Sequence, residues 1–192
     1  MPSLDELTTQ HETLFFTHFD AQDAFDLGCI IRSRILSAFP ETPVSIRITL
    51  PTGQILFTTV TVGGSTLDSE SWLTRKAATV LRYGCSTLYM REKMVAKGLA
   101  GDRLSEMAPL DDAVYAVHGG GFPVRIRGVD GVAAVIVVSG LKQVDDHDYL
   151  VEGVKWFLEK DQRATYLEYP TVKETYPNTV DTYTFQVSVF EL

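Results

Sequence analysis

The spacing of apolar residues along the chain predicts alternating helices and strands. After a polar lead-in over residues 1–13, which is loose or helical, Ala24, Leu27 and Ile31 recur at helical intervals. Asp20 stands directly before them, where an N-cap is favoured, so a helix is predicted over about residues 20–38.

Strand patterns follow this helix. Residues 44–50 alternate apolar and polar side chains, and a Pro-Thr-Gly turn lets residues 54–62 return as a hairpin partner. Residues 113–117 and 124–127 have the composition of two further short strands. The uniformly apolar run 132–138 predicts a central strand that is buried on both faces.

Three further helices are predicted. The first is capped by Asp68 or Ser69 and interrupted at Gly84, and the second covers residues 87–96. The last begins with Asp145 as its N-cap. Helices therefore flank a mostly antiparallel sheet on both sides, which is an α/β (α+β) fold with three layers, α/β/α.

The character of the chain changes near residue 160. Residues 1–160 of the 192 predict one domain, and residues 161–192 predict a C-terminal extension or arm that is rich in Tyr and Phe. We expect the arm to dock partly on a subunit surface. Alternatively its tip, Phe190, Glu191 and Leu192, binds a helical-repeat co-chaperone domain that clamps a C-terminal carboxylate.

Charge and composition narrow the partners. The 17 basic and 25 acidic residues give a net charge of −8, which argues against nucleic acid and against insertion into an anionic membrane. No basic leader or long apolar run is present, so we expect a cytoplasmic protein. The two cysteines, Cys29 and Cys85, form no C-x-x-C pair, and zinc is not indicated.

A glycine-rich loop is the first candidate for ligand binding. Three consecutive glycines permit close approach of the backbone to a ligand, and their N–H groups could bind an anion. A wide turn that needs glycine for its geometry alone is the alternative. The candidate residues are His118, Gly119, Gly120, Gly121, Phe122 and Pro123.

Two other segments carry candidate chemistry. Ser139 and Gly140 form a tight turn before an acidic helix start, in which we expect His147 to be exposed and its protonated form to be favoured by neighbouring acids. An ordinary acidic first turn is the alternative. Arg75, Lys76 and Arg82 form a basic helix face that could hold a carboxylate, or instead form salt bridges.

Sequence templates of common enzymes do not match. The chain has no H-E-x-x-H, P-loop or G-x-S-x-G pattern. Cys85 has no assignable partner histidine and is expected to be a buried thiol rather than a nucleophile.

Three blocks together resemble one known family. They are residues 72–86, with the basic helix, residues 115–124, with the glycine loop, and residues 137–147, with the Ser-Gly turn. Over about residues 14–159 the chain resembles the haem-degrading-like domain family (HbpS, GlcG and PduO C-terminal-like domains), in particular its bacterial and fungal branch.

The resemblance implies a profilin-like α/β/α fold with a five-stranded antiparallel sheet, and dimers that assemble into larger rings. Members of the family are linked to haem, to corrinoid metabolism and to glycolate utilisation, so membership alone fixes no function. The family pattern carries over onto the basic helix and onto the glycine loop, but it contains no universal catalytic residue. Haem is therefore the cofactor to consider, with His118 as the candidate iron ligand.

Three functions remain open. The first is a non-catalytic homo-oligomer that acts as a binding or adaptor module, recruiting a partner through its tail. The second is a protein that binds haem or a small carboxylate, with or without haem-degrading activity. The third is a metabolic enzyme acting on a small organic acid. For the ligand-binding hypothesis we expect Gly120 and Gly121 to lie beside the basic helix, with Arg75 or Arg82 facing the loop.

Overall fold

A computed structural model describes the backbone of residues 1–166 and the side chains of residues 1–160. Five α-helices, one short 3-10 helix (Leu104–Glu106) and four strands occur in this part of the chain. Residues 167–192, which include the predicted tip of the arm, lie outside it. The helices are α1 Leu4–Thr13, α2 Ala21–Ala38, α3 Leu67–Tyr83, α4 Thr87–Val95 and α5 Gln143–Tyr166, and the strands are β1 Ser45–Thr49, β2 Ile55–Val60, β3 Gly121–Val124 and β4 Ala134–Ser139.

The strands form one antiparallel sheet in the order β2-β1-β4-β3. Strand β4 lies between β1 and β3, and all of its residues are buried, as the apolar run predicted. Its side chains alternate between the two faces of the sheet. Val135 and Val137 pack with Leu73 of α3 on one face, whereas Ile136 and Val138 belong to the core beneath α2 and α5.

Helices therefore cover both faces of the sheet. The larger core joins Leu27 and Ile31 of α2 to Val154 of α5 and to the sheet. Helix α2 approaches β2 closely at Gly28, where a Cβ atom would lie 2.4 Å from the ring of Phe57. Helix α5 runs through the expected boundary at residue 160 and reaches Tyr166.

The expected fifth strand is absent from the described residues. The segment 113–117 instead turns over Asp111, whose carbonyl oxygen accepts the N–H groups of Val114 and Tyr115. Next along the chain, the N–H of Ala116 bonds to α3, at the carbonyl of Arg75 and the hydroxyl of Thr79. Because a turn and a helix satisfy these backbone groups, the segment does not pair with a strand of the sheet. Strand β3 likewise begins at Gly121, earlier than the predicted 124–127.

Helix starts were predicted with mixed success. The Asp20 N-cap is confirmed, because its carboxylate accepts the N–H groups of Gln22 and Asp23. Helix α3 begins earlier than expected, with Thr66 at its N-cap position, and α5 begins at Gln143, ahead of the predicted cap at Asp145. Among residues 1–166, no helix combines the length and apolar character that crossing a membrane requires.

Candidate functional site

The glycine loop is packed between three elements. A Cβ atom on Gly119 would lie 2.1 Å from the carbonyl oxygen of Gln143, and one on Gly120 would lie 2.2 Å from that of Val138. Gly120 also has a φ of +109°, which L side chains rarely adopt. The N–H of Gly121 donates to Thr87 Oγ1 at 3.0 Å. These glycines are therefore required for close packing against α5, β4 and α4.

Lys76, predicted on a basic helix face, is buried in an ion pair. Its side chain is 2% exposed and lies beside Gly120, and its ammonium group donates to Asp146 Oδ2 and to the carbonyl of Val138, both at 2.9 Å. Burial lowers the pKa of Lys76, and the Asp146 carboxylate opposes that shift. Burial likewise raises the pKa of Asp146, against Lys76 and a backbone N–H. The short charge-assisted contact holds the two groups as an ion pair at neutral pH.

The two arginines of the same helix both contact Tyr115, which precedes the glycine loop. Arg75 Nη2 donates to the carbonyl of Tyr115 at 3.4 Å, and its guanidinium lies 4.6 Å from the ring centroid of Trp72. Arg82 Nη1 donates to the Tyr115 hydroxyl at 3.2 Å. Both guanidinium groups therefore already have partners within the chain.

A polar cavity of about 320 Å³ opens between the start of α3, the glycine loop and the start of α5. We call it the His118 cavity. It brings together four residues predicted from the sequence, namely Lys76, His118, Ser139 and Gly140. It is also lined by Thr66, Asp68, Ser69, Trp72, Leu141, Gln143 and Asp146.

His118 is half-buried in this cavity. Its ring meets the ring of Trp72 edge-on, with 4.8 Å between the centroids. Burial, and next the charge of Lys76, lower its pKa, so the imidazole is neutral at physiological pH. His118 Nδ1 and Gln143 Oε1 are both buried without a hydrogen-bond partner among the described residues.

The remaining candidates of the loop and turn serve the core. Phe122 is buried and stacks on the ring of His11 at 5.3 Å, and Pro123 is buried within β3. Gly140 has a φ of +151°, and a Cβ atom there would lie 2.5 Å from the carbonyl oxygen of Pro43. Phe122 and Pro123 do not line the His118 cavity, whereas Gly140 does.

A second cavity, of about 400 Å³, lies between α1 and α4 and was missed by the sequence analysis. We call it the His11 cavity. Tyr83, Tyr89, Met90 and Met107 give it apolar and aromatic walls. Its charged lining residues are Lys93, Lys97, Arg125 and Glu12. A sequence signature did exist for α1, because Ser3 and Glu6 form the capping box that marks a helix start.

Two histidines beside this region are neutral. The N–H of Ser86 donates to His11 Nε2 at 3.2 Å, and burial together with Arg125 lowers the His11 pKa to about 4. His147 is fully buried, with its Nε2 2.8 Å from Gln10 Oε1, and burial lowers its pKa to about 3. The expectation of an exposed, readily protonated His147 was wrong, because the helix turns this ring toward α1 rather than toward the acids.

Cys85 lines the His11 cavity as a thiol. Burial raises its pKa to about 11, so the nucleophilic thiolate is scarce at neutral pH. Among the described residues, no group of three or more His, Cys, Asp or Glu side chains could hold a metal ion.

Comparison with known proteins identifies the family. The sequence profile described as "Haem degrading protein HbpS-like" matches residues 19–155. The chain belongs to the HbpS-like family. The resemblance of the three sequence blocks is thereby confirmed.

Relatives of this HbpS-like chain occur in fungi and bacteria. It is 43% identical to the UPF0303 protein YBR137W of Saccharomyces cerevisiae, over 75% of this chain and 78% of the relative. It is 38% identical to the UPF0303 protein SCO2848 of Streptomyces coelicolor, over 82% of this chain and 94% of the relative.

Solved structures agree with the fold. The crystal structure of Ybr137w superposes with a TM-score of 0.75 at 41% identity, covering 83% of this chain and 89% of that one. The crystal structure of a PduOC–haem complex gives a TM-score of 0.57 at 19% identity, covering 71% and 93%, and supports the fold alone.

Proposed function

We propose that this HbpS-like protein binds haem, or a planar carboxylate-bearing ligand of the same kind, in the His11 cavity. The observation that carries the proposal is the placement of three cations, Lys93, Lys97 and Arg125, beside apolar walls in a protein with a net charge of −8. The family description and the haem bound by the structural neighbour PduOC favour the same ligand class.

The residues of the His11 cavity fit the parts of haem. The macrocycle needs apolar and aromatic walls, which Tyr83, Tyr89 and Met90 provide. The propionates need cations, and Lys93 and Lys97 are both exposed at the cavity. A volume of about 400 Å³ lies in the usual range of ligand cavities, and the opening leaves room for the propionate edge.

His11 is the imidazole that lines this cavity. Its Nε2 accepts the N–H of Ser86 at 3.2 Å, so the proton of the neutral ring is on Nδ1, which is buried without a hydrogen-bond partner among the described residues. Iron ligation by His11 would therefore require Nε2 to exchange the Ser86 contact for the metal. Bound haem would supply the iron for redox or oxygen chemistry. The chain would enclose the macrocycle and neutralise the propionates.

The His118 cavity suits haem less well. Asp68 and Asp146 line it, and Lys76 is already paired with Asp146, so propionates would meet uncompensated negative charge. His118 nevertheless remains the iron ligand suggested by the sequence. Haem binding in the His11 cavity and haem binding in the His118 cavity therefore predict opposite effects of substitutions on a haemin titration.

The test is a haemin titration followed by the Soret band. We expect the Lys93→Gln/Lys97→Gln variant to bind haemin roughly three- to tenfold more weakly, because two exposed cations near the propionates are lost. The Lys142→Gln/Lys155→Gln variant removes the same charge elsewhere and should bind like the parent protein. A Soret band lost in His118→Ala, or unchanged affinity in Lys93→Gln/Lys97→Gln, would refute the assignment to the His11 cavity.

The other hypotheses stay proposals. An adaptor role through Phe190, Glu191 and Leu192 depends on residues outside the described part of the chain. Assembly into a homo-oligomer larger than a dimer predicts a mass several times 21.3 kDa by light scattering. Deleting residues 188–192 should abolish binding to a helical-repeat domain, without loss of thermal stability, if the tip is a recognition motif.

A further inference from the structure

We propose that the His118 cavity is a second ligand site, and that it takes a small organic cation of the alkylammonium class. The proposal does not rest on haem binding, since no residue that lines the His118 cavity also lines the His11 cavity. It rests on the charges that line this cavity and on the polar atoms left without partners there.

The charged residues that line the cavity sum to one negative charge. Lys76 and Asp146 neutralise each other across 2.9 Å, and His118 is neutral because burial and Lys76 lower its pKa. Asp68 is exposed at the start of α3 and forms no salt bridge with a described residue. Among the lining residues one carboxylate is therefore left over at the opening, where it attracts a cation. Arg75 acts on His118 from outside this lining, where it bonds to the carbonyl of Tyr115.

The unpartnered polar atoms favour a ligand that carries N–H donors. Gln143 Oε1 is an acceptor that is buried without a partner among the described residues, and leaving such an atom unbonded destabilises the free protein. Ser139 Oγ can also accept. Neutral His118 offers a ring lone pair in either tautomer. An ammonium group has three N–H donors and could satisfy several of these acceptors together.

The size and walls of the cavity fit a short aliphatic chain. Its volume is about 320 Å³, and Trp72 and Leu141 contribute apolar surface to it. Arg75 lies over the ring of Trp72, and His118 meets the same ring edge-on, so we do not assign Trp72 the role of a cation-binding aromatic face. The ligand's charge is recognised by carboxylate and acceptor atoms instead.

A charge series tests the proposal. Butylamine, 1-butanol and butyrate have similar carbon chains but carry positive, zero and negative charge at pH 7. Their binding can be followed by the indole N–H resonance of Trp72 in a ¹⁵N-labelled protein, with Trp156, the other tryptophan of the chain, as the internal reference. We expect a saturable shift of the Trp72 resonance with butylamine, binding at least about threefold weaker with butanol, and no shift with butyrate.

Variants identify the groups responsible. Asp68→Asn should weaken butylamine binding about two- to fivefold, which is the range for one exposed charge. Asp5→Asn makes the same change in the first turn of α1 and should have no effect. Gln143→Leu should also weaken binding, whereas Lys93→Gln/Lys97→Gln, in the His11 cavity, should not.

Three outcomes would overturn the proposal. The first is a lack of saturable Trp72 shifts with butylamine in the folded protein. The second is butyrate or butanol binding as tightly as butylamine, and the third is equal weakening by Asp68→Asn and Asp5→Asn, which would indicate only long-range charge. A negative haemin titration leaves each of these results interpretable, because none of the readout residues lines the His11 cavity.

Discussion

Removing Asp146 should destabilise the protein more than any surface substitution. The Lys76 and Asp146 side chains are 2% and 3% exposed, and their contact is 2.9 Å long. In Asp146→Ala the ammonium group of Lys76 keeps only the carbonyl of Val138 as an acceptor, and the N–H of Leu141 loses its partner Asp146 Oδ1. The variant therefore contains a buried unpaired charge and an unsatisfied N–H group.

The magnitude follows from these two losses. Breaking a buried ion pair by removing one partner costs about 3–5 kcal/mol, because the remaining charge stays desolvated. An unbonded buried N–H adds about 1 kcal/mol or more. Replacing both partners by apolar side chains, in Lys76→Met/Asp146→Leu, removes the buried charge and should recover most of the first cost.

Urea unfolding of the parent, Lys76→Met, Asp146→Leu and the double variant gives the coupling free energy directly. The exposed pair Arg34–Glu152, with side chains 38% and 54% exposed, is the matched control on the same helix α5. Glu152→Gln should cost less than about 1 kcal/mol. A cost below about 1 kcal/mol for Asp146→Ala, or strict additivity in the double variant, would show that the buried pair is not what holds these elements together.

Three more predictions concern single residues. His147 has a pKa lowered to about 3 by burial, whereas an unfolded histidine titrates near about 6.5, so the unfolded state takes up the proton first as pH falls. His147 should therefore contribute a fall of about 1.4 kcal/mol per pH unit to the free energy of unfolding between pH 6 and 4, in addition to the contribution of His11. His147→Gln should reduce the slope by about that amount in urea titrations at each pH. Gly120→Ala should cost more than about 2 kcal/mol in the same assay, because it clashes with Val138, whereas Gly53→Ala, with a positive φ but open surroundings, should cost about 1 kcal/mol. A disulfide reagent at pH 7.5 should modify exposed Cys29 quickly and Cys85 slowly, and equal rates would contradict the raised pKa of Cys85.

The sequence predicted those elements whose patterns are local. The helical spacing around Leu27, the N-cap at Asp20 and the uniformly apolar strand β4 are each set by neighbours in the chain. Residues 113–117 have strand composition as well, but their backbone bonds to α3, a tertiary contact that overrides local preference. Composition therefore placed four strands near their positions and added a fifth that the described residues do not contain.

The sequence predicted only part of the candidate site, because some of its contacts join residues that are far apart in the chain. Lys76, His118 and Ser139 do line one cavity, but no local pattern pairs Lys76 with Asp146, which is far away in the chain. Without that pairing, carboxylate binding and salt bridging stayed open as alternatives for the basic helix face, and the structure shows a salt bridge for Lys76. The His11 cavity is not predicted because the polar pattern of residues 1–13 does not decide between loop and helix, although Ser3 and Glu6 form a capping box at the start of α1.

The contact of Lys76 also ties the outer layers of the fold to each other. Helix α3 lies on one face of the sheet and α5 on the other, yet Lys76 of α3 bonds to Asp146 of α5 and to Val138 of the strand between them. The absence of a side chain at Gly120 is what leaves space for this crossing. If either helix separates from the sheet, the charged group of the other helix loses its partner. Both helices should therefore unfold in one cooperative step, and their slowest amide protons should exchange at a common rate.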